Sequence, residues 1–272
     1  MTLRREYKYL VSREKLTSLR KRFRPFVKLD KYAGENGGND YKVRSIYFDT
    51  GRMNYYHQKN AGVKKRKKFR LRGYNDNFED STVFLEIKRK NNEIVSKNRS
   101  PLKYQDIHKL FITGDSESLI IGNNGNSKAK TDADKFLYYL NTEYLIPVIL
   151  IVYDREPYYS KFNSNLRITF DKNIRSKVCT SLDGLFTEHK EKYAVNDYFV
   201  LEIKFNFGYP GWLDNIIREF ELTRQAVSKY CICVDNHRQE IEMLFSHSSI
   251  EFFSDVIYKK EIFKGALNKD DQ

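Results

Sequence analysis

The chain sets 49 lysines and arginines against 36 aspartates and glutamates over 272 residues, a formal net charge of +13. Its 40% hydrophobic content supplies a packed core and, beside 31% charged residues, excludes a disordered polyelectrolyte. The longest apolar run, residues 145–152, is too short for a membrane-crossing helix, which needs about 20 residues, and Cys179, Cys231 and Cys233 are too few and scattered for a disulfide framework.

Residues 1–6 hold no apolar signal region, so a reduced, cytoplasmic protein is expected. Residues 4–10 read as a strand, and alternation places Arg4, Glu6 and Lys8 on one face and Arg5, Tyr7 and Tyr9 on the other. Residues 12–23 have the pattern of a helix, with Ser12 as N-cap and Leu16, Leu19 and Phe23 on one side. Glycines and asparagines mark a loop at 34–40. The five consecutive basic residues 64–68 read as a solvated edge or loop, with ligand contact as the alternative. Strands follow at 68–72, with Lys68, Arg70 and Arg72 opposing Phe69 and Leu71, and at 83–90, with Glu86, Lys88 and Lys90 opposing Val83, Leu85 and Ile87. A loop at 122–127 precedes a helix at 131–144 with Phe136, Leu137 and Leu140 as its apolar positions. Strand 151–155 puts Tyr153 and Arg155 on one side; 166–171 opposes Arg167, Thr169 and Asp171 to Leu166, Ile168 and Phe170; and 200–205 opposes Glu202 and Lys204 to Leu201, Ile203 and Phe205. Helices are expected at 212–222 and, less regularly, at 236–263, giving a helical C-terminal segment at about 210–265 of a single domain spanning 1–272. Leu85-Glu-Ile-Lys88 and Leu201-Glu-Ile-Lys204 are identical tetrapeptides and hint at two similar halves.

The charged faces have two readings. An ordinary antiparallel sheet turns such a face to water. Here cations outnumber acids on those faces, and like charges opposite one another on an open sheet repel. The amphipathic helices also need an apolar surface to cover. Both points favour an α+β fold in which about six such strands belong to a closed, mainly antiparallel barrel, charged side inward as a tunnel, with helices on the apolar outside. Such a lumen is an electrostatic well for a polyphosphate. Nucleic acid is not expected as a partner, because no zinc-finger or RNP1-like pattern accompanies the basic residues.

Nine motifs in order carry a resemblance: Arg4-x-Glu6-x-Lys8-Tyr9, Arg44-Ser-Ile-Tyr-Phe-Asp49, Arg70-Leu-Arg72-x-Tyr74, Phe84-Leu-Glu-Ile-Lys88, Lys97-x-Arg99, Tyr153-Asp-Arg155, Arg167-Ile-Thr-Phe-Asp171, Leu201-Glu-Ile-Lys204 and Ser228-Lys229-Tyr230. In these the chain resembles the VTC domain, the polyphosphate-making domain of the vacuolar transporter chaperone complex, within the wider group of triphosphate tunnel enzymes. The resemblance implies a closed, inward-charged tunnel of eight strands and an ATP-dependent polyphosphate polymerase. It implies that Lys8, Arg70, Arg72, Lys88, Arg155 and Arg167 hold the triphosphate or the product chain, that Lys97, Arg99 and Lys103 form a further basic segment facing the tunnel, and that Tyr153, Lys204, Ser228 and Lys229 belong to the substrate-binding set. Glu202 matches the family's ligand to Mn2+ or Mg2+. Arg4 stands where the hydrolases of the group often have Glu, which favours the polymerase type. Gln225, Ala226 and Val227 stand where the family commonly has a lysine, which leaves one phosphate contact unfilled. No SPX regulatory domain or membrane helix is seen in the sequence, so regulation through SPX and direct translocation are not expected; the resemblance leaves room for a membrane partner protein.

The reaction so implied is attack of the chain's terminal phosphate on the γ-phosphate of ATP with departure of ADP, which needs positioning and charge stabilisation rather than a protein nucleophile. The alternatives are a phosphohydrolase on the same fold and a non-catalytic polyphosphate-binding protein. Glu6 and Glu86 are read as partners of neighbouring cations, and Tyr7, Tyr9, Tyr47 and Phe48 as core or wall. His57, His108, His189, His237 and His247 show no metal-binding spacing and are expected on the surface or in loops.

Overall fold

The computed structural model describes residues 4–34, 38–75, 80–92, 94–122, 128–163, 165–187, 190–206 and 208–245. Parts of the two expected loops (35–37 and 123–127), His189, His247 and the helical expectation beyond 245 lie outside the described residues.

Alternating apolar and charged residues build one antiparallel sheet of ten strands: β1 (Arg5–Ser12), β2 (Val27–Leu29), β3 (Tyr41–Asp49), β4 (Lys65–Tyr74), β5 (Thr82–Asn91), β6 (Ile94–Lys103), β7 (Ile146–Ser160), β8 (Arg167–Val178), β9 (Lys192–Tyr193) and β10 (Tyr198–Phe205). Eight lie on the main path, β1-β10-β8-β7-β3-β4-β5-β6, while β2 pairs with β7 and β9 with β8. The helices are α1 (Leu16–Phe23), α2 (Lys31–Gly34), α3 (Asn54–Asn60), α4 (Ile107–Thr113), α5 (Ser116–Leu119), α6 (Lys128–Thr142), α7 (Gly211–Glu219), α8 (Lys229–Asn236) and α9 (Arg238–Leu244). None among the described residues is long and apolar enough to cross a membrane.

The sheet is curled, and its apolar face is convex and covered. Leu19 and Phe23 of α1 and Leu213 and Ile216 of α7 pack with Ile168, Phe170, Leu201 and Ile203. Phe136, Leu137 and Leu140 of α6 and Leu110 of α4 pack with Phe69, Leu71, Leu85 and Ile87. Burying such large side chains stabilises each contact by roughly 1.5–3 kcal/mol per residue. The helices therefore lie on the outside, as expected.

The barrel does not close. Closure requires β6 to pair with β1, and each is an end of the path. Other segments occupy both edges. The Gln225 N–H donates to the Lys8 carbonyl at 2.9 Å, and Arg224 bridges to Tyr9, so residues 224–227 run along β1. On β6, Ile120 bridges to Leu102, and the Ile121 N–H donates to the Pro101 carbonyl at 2.9 Å. At Lys8 and Tyr9 and at Pro101 and Leu102, the edge is thus taken by these segments rather than by the other end strand.

Several boundaries differ from expectation for local reasons. Ser12 ends β1 and makes no capping bond; a 3-10 turn, Arg13–Lys15, leads into α1. The helix α6 stops before Tyr144, which takes a left-handed φ of 49°, and the Leu145 N–H turns back to the Leu140 carbonyl at 3.0 Å. The expected 212–222 helix is α7, which ends before Glu221 at φ 53°. The strand expected at 151–155 is the 15-residue β7. Its apolar run is covered on both faces: Leu150 and Val152 join the outer core, and Ile149 and Ile151 meet Cys231, Cys233 and Val234 of α8 inside the curl.

Candidate active site on the concave face

Register places charged side chains side by side across the concave face. Lys8 stands opposite Glu202 and Glu6 opposite Lys204; Arg70 stands opposite both Tyr47 and Glu86; Arg155 stands opposite Asp171. The curl brings distant strands together, with Lys88 Nζ of β5 at 2.9 Å from Glu6 of β1. The cavity on this face has a volume of about 600 Å³, and among the described residues thirteen lysines and arginines line it against two glutamates, Glu6 and Glu202.

Buried carboxylates aim these cations. Glu86, fully buried, pairs with Arg70 at 2.6 Å, Arg99 at 3.3 Å and Arg72 at 3.8 Å, and also with Lys97. Arg70 further donates to the Tyr47 hydroxyl at 2.9 Å, and Arg72 to Ser45 Oγ at 3.2 Å and the Tyr153 hydroxyl at 3.4 Å. Asp171, also fully buried, takes a two-point fork from Arg155 at 2.7 and 2.8 Å and the Lys229 ammonium at 2.5 Å. Glu6 pairs with Lys8 at 3.0 Å and with Lys88, and Glu202 pairs with Lys204 at 2.6 Å and faces Arg155 at 3.6 Å. Paired carboxylates of this kind hold guanidinium groups at fixed angles.

The start of α8 closes one side. Ser228 Oγ accepts the Cys231 N–H at 3.3 Å, capping the helix, and also accepts from Lys68 Nζ at 2.7 Å. The positive end of the helix dipole thus lies at the cavity wall.

The charge balance shows in the titration of the wall. Burial, then Lys8 and Lys88, push the Lys68 ammonium down to about 7. Burial, then Lys8, bring Lys88 down to about 8. Burial lowers Lys97 to about 7, with Arg70 and Arg72 acting in the same direction against Glu86. Burial and Glu202 push the Glu6 carboxyl up, but Lys8, Lys88 and Lys204 together overcome them and hold it at about 2. The concave face has more cations than its carboxylates neutralise.

Of the residues singled out from sequence, Lys8, Arg70, Arg72, Lys88, Tyr153, Arg155, Glu202, Lys204, Ser228 and Lys229 meet around this cavity. Lys97 and Arg99 reach Glu86 from β6 without lining it. Arg167 shares the face but lies toward one end, donating to Asp30 at 3.2 Å and Tyr41 at 3.4 Å. Lys103 donates to the Asp80 carbonyl at 2.9 Å and is not part of the wall. Gln225, Ala226 and Val227 line the cavity, and Lys8 Nζ donates to the Val227 carbonyl at 3.4 Å. Sequence reasoning left out Lys68 as a site residue, although alternation had put it on the face of Arg70 and Arg72. It also left out Asp171, whose role depends on two cations far away in the chain.

Among the described residues no group of three or more His, Cys, Asp or Glu side chains could hold a metal ion. Glu202 and Glu6 still suit a hard divalent cation that takes one or two protein carboxylates and completes its shell with phosphate oxygens and water. His237 corrects the expectation for histidines: it is buried, with Nε2 3.0 Å from the Ser176 carbonyl oxygen.

A protein-family model described as VTC domain matches residues 3–237. No curated protein matches the chain.

Proposed function

The chain belongs to the VTC domain family, and we propose that it is an ATP-dependent polyphosphate polymerase working in the concave cavity. The observation that carries this reading is the wall of thirteen cations against two glutamates among the described residues, with Lys68 and Lys88 both depressed by burial and by Lys8. A cavity so charged favours a multiply charged inorganic anion over an apolar ligand.

In the proposed reaction an oxygen of the terminal chain phosphate attacks the γ-phosphorus of ATP, the bond from that phosphorus to the bridging oxygen breaks, and ADP leaves with the electron pair. Arg70 and Arg155 are each fixed by a carboxylate and Arg72 by the Ser45 and Tyr153 hydroxyls, so their planar guanidinium groups are pre-aimed to grip phosphate oxygens. Lys8, Lys88, Lys204 and Lys229 supply point charges around them. Glu202, with Glu6 beside it, would hold Mn2+ or Mg2+, which when bound neutralises phosphate charge and orients the triphosphate. The three free, buried cysteines accord with a reducing, cytoplasmic setting.

The test is incubation with ATP and manganese. ADP together with acid-labile long chains is the expected product. ADP with free phosphate alone would make the protein a phosphohydrolase, and no turnover with retained polyphosphate binding would make it a binding protein.

A further inference from the structure

We propose that a second groove, on the outer face where β4 begins and β5 ends, holds the polyphosphate chain as it leaves the cavity. This rests on the polyphosphate reading above and extends it to the product's path.

Alternation splits the basic run between two sides of the sheet. Arg66 and Lys68 face the cavity; Lys65 and Lys67 face outward. The outward pair, with Arg89 of β5, lines a second cavity of about 540 Å³ beside α3. Arg66 and Lys90 line both cavities, so the two spaces meet at these side chains. From Lys68 to Lys65 the strand runs ~10 Å, a distance that a short stretch of a linear phosphate chain spans.

The pairing along this stretch is itself unfavourable. Arg66 stands opposite Lys90, Lys67 opposite Arg89, and Lys68 opposite Lys88, three successive rungs of cation against cation. Like charges directly opposite destabilise a sheet. Glu6 offsets Lys88 from the cavity side, and among the described residues the outer groove adds one acid, Glu143, which pairs with Lys67 at 3.0 Å and accepts from the Tyr55 hydroxyl. A polyanion threaded past Arg66 and Lys90 would relieve all three rungs at once.

Linear polyphosphate fits this groove better than a single-stranded nucleic acid. Stacking platforms for bases need exposed rings. Among the described residues the one aromatic in the lining, Tyr55, is buried and its hydroxyl is engaged by Glu143.

The experiment compares inorganic triphosphate, which fills only the cavity, with long-chain polyphosphate, which reaches both spaces. Both are titrated into wild-type protein, the Lys65→Gln/Lys67→Gln double variant and the single exposed variant Lys65→Glu, which makes no core contact. In the double variant, long-chain affinity is expected to fall on the order of tenfold, with a salt slope shallower by about 1.4 for two lost contacts. Lys65→Glu is expected to act in the same direction, and triphosphate affinity is expected to stay at the wild-type value in both. Unchanged long-chain affinity overturns the proposal, as does an equal loss for both ligands. Single-stranded RNA is titrated alongside, and loss of its binding in the variants with polyphosphate binding intact also overturns the proposal. If wild type binds long chains but not triphosphate, and the variants lose the long chains, the groove stands and the cavity reading falls.

Discussion

Lys68 offers the sharpest test of the charge balance. In the free protein its ammonium titrates at about 7, depressed first by burial and then by Lys8 and Lys88. At pH 8 a group with that value is about one-tenth charged. A triphosphate in the cavity supplies the missing negative charge and returns the ammonium toward the ordinary lysine range near 10.4, where it is fully charged at the same pH. Binding at pH 8 should therefore draw about 0.9 proton onto Lys68 alone. In Lys68→Met the side chain keeps its length and loses the proton site. Isothermal titration calorimetry of inorganic triphosphate, repeated in buffers of different ionisation enthalpy, gives the proton count as a slope. The variant should take up about 0.9 proton fewer than wild type at pH 8, and the difference should shrink toward about 0.1 at pH 6, where Lys68 is charged before binding. Subtracting the variant cancels any proton lost by the ligand. Equal counts at pH 8 would mean that Lys68 is already charged in the free protein, and the account of an under-neutralised wall would be wrong.

The same lysines set the stability profile. Lys68, Lys88 and Lys97 hold fewer protons folded than unfolded from about 7 up to the ordinary lysine range, so the ligand-free protein should melt at a higher temperature as pH rises from 7 to 9, and saturating triphosphate should flatten that rise; a melting temperature that falls over this window would contradict the sign. Glu6 and Asp171 act at the other end: both are held at about 2, so their contribution is present above the ordinary carboxyl range and lost as pH falls from about 4 toward 2. Arg72→Ala should leave the circular dichroism spectrum intact and cut turnover by roughly 10²–10³-fold, and unchanged activity would remove Arg72 from the site. Asp171→Asn strips a buried carboxylate from Arg155 and Lys229 and should cost about 3–5 kcal/mol in urea unfolding, with part of the loss recovered on adding triphosphate; full stability without ligand would show that the two cations need no partner.

The period-two pattern made one half of this architecture legible. Lys68, Arg70 and Arg72, or Glu6 and Lys8, occur at spacings that no register can separate, so their common face follows from the backbone alone. The two Leu-Glu-Ile-Lys tetrapeptides likewise landed on β5 and β10 with Glu86 and Glu202 turned to the concave side and buried. Closure was not legible, because it depends on what occupies the two edges. Residues 224–227 have no strand pattern, yet Gln225 takes the Lys8 carbonyl. The direction of Arg167 was not legible either: alternation gives its face, but Asp30, 137 positions away, draws it to one end. The basic run at 64–68 reads as a solvated edge or loop, but Lys65 to Lys68 stand within β4, where alternation turns Lys68 to the concave cavity and Lys65 and Lys67 to the other side.

The carboxylates explain how such a wall persists without an anion. Cations alone around a small cavity would swing apart toward water, and a site that must gather its ligands on binding loses much of its electrostatic advantage. Here Glu86 and Asp171 are fully buried and do not line the cavity; they stand beside the guanidinium groups across the strands of the same face and fix their aim. Each cluster holds more positive than negative charge: Glu86 faces Arg70, Arg72, Lys97 and Arg99, and Asp171 faces Arg155 and Lys229. The remainder appears as lysines depressed to about 7 and 8. Buried acids set beside surplus cations make an unfinished ion cluster, which a polyanion entering the cavity would complete.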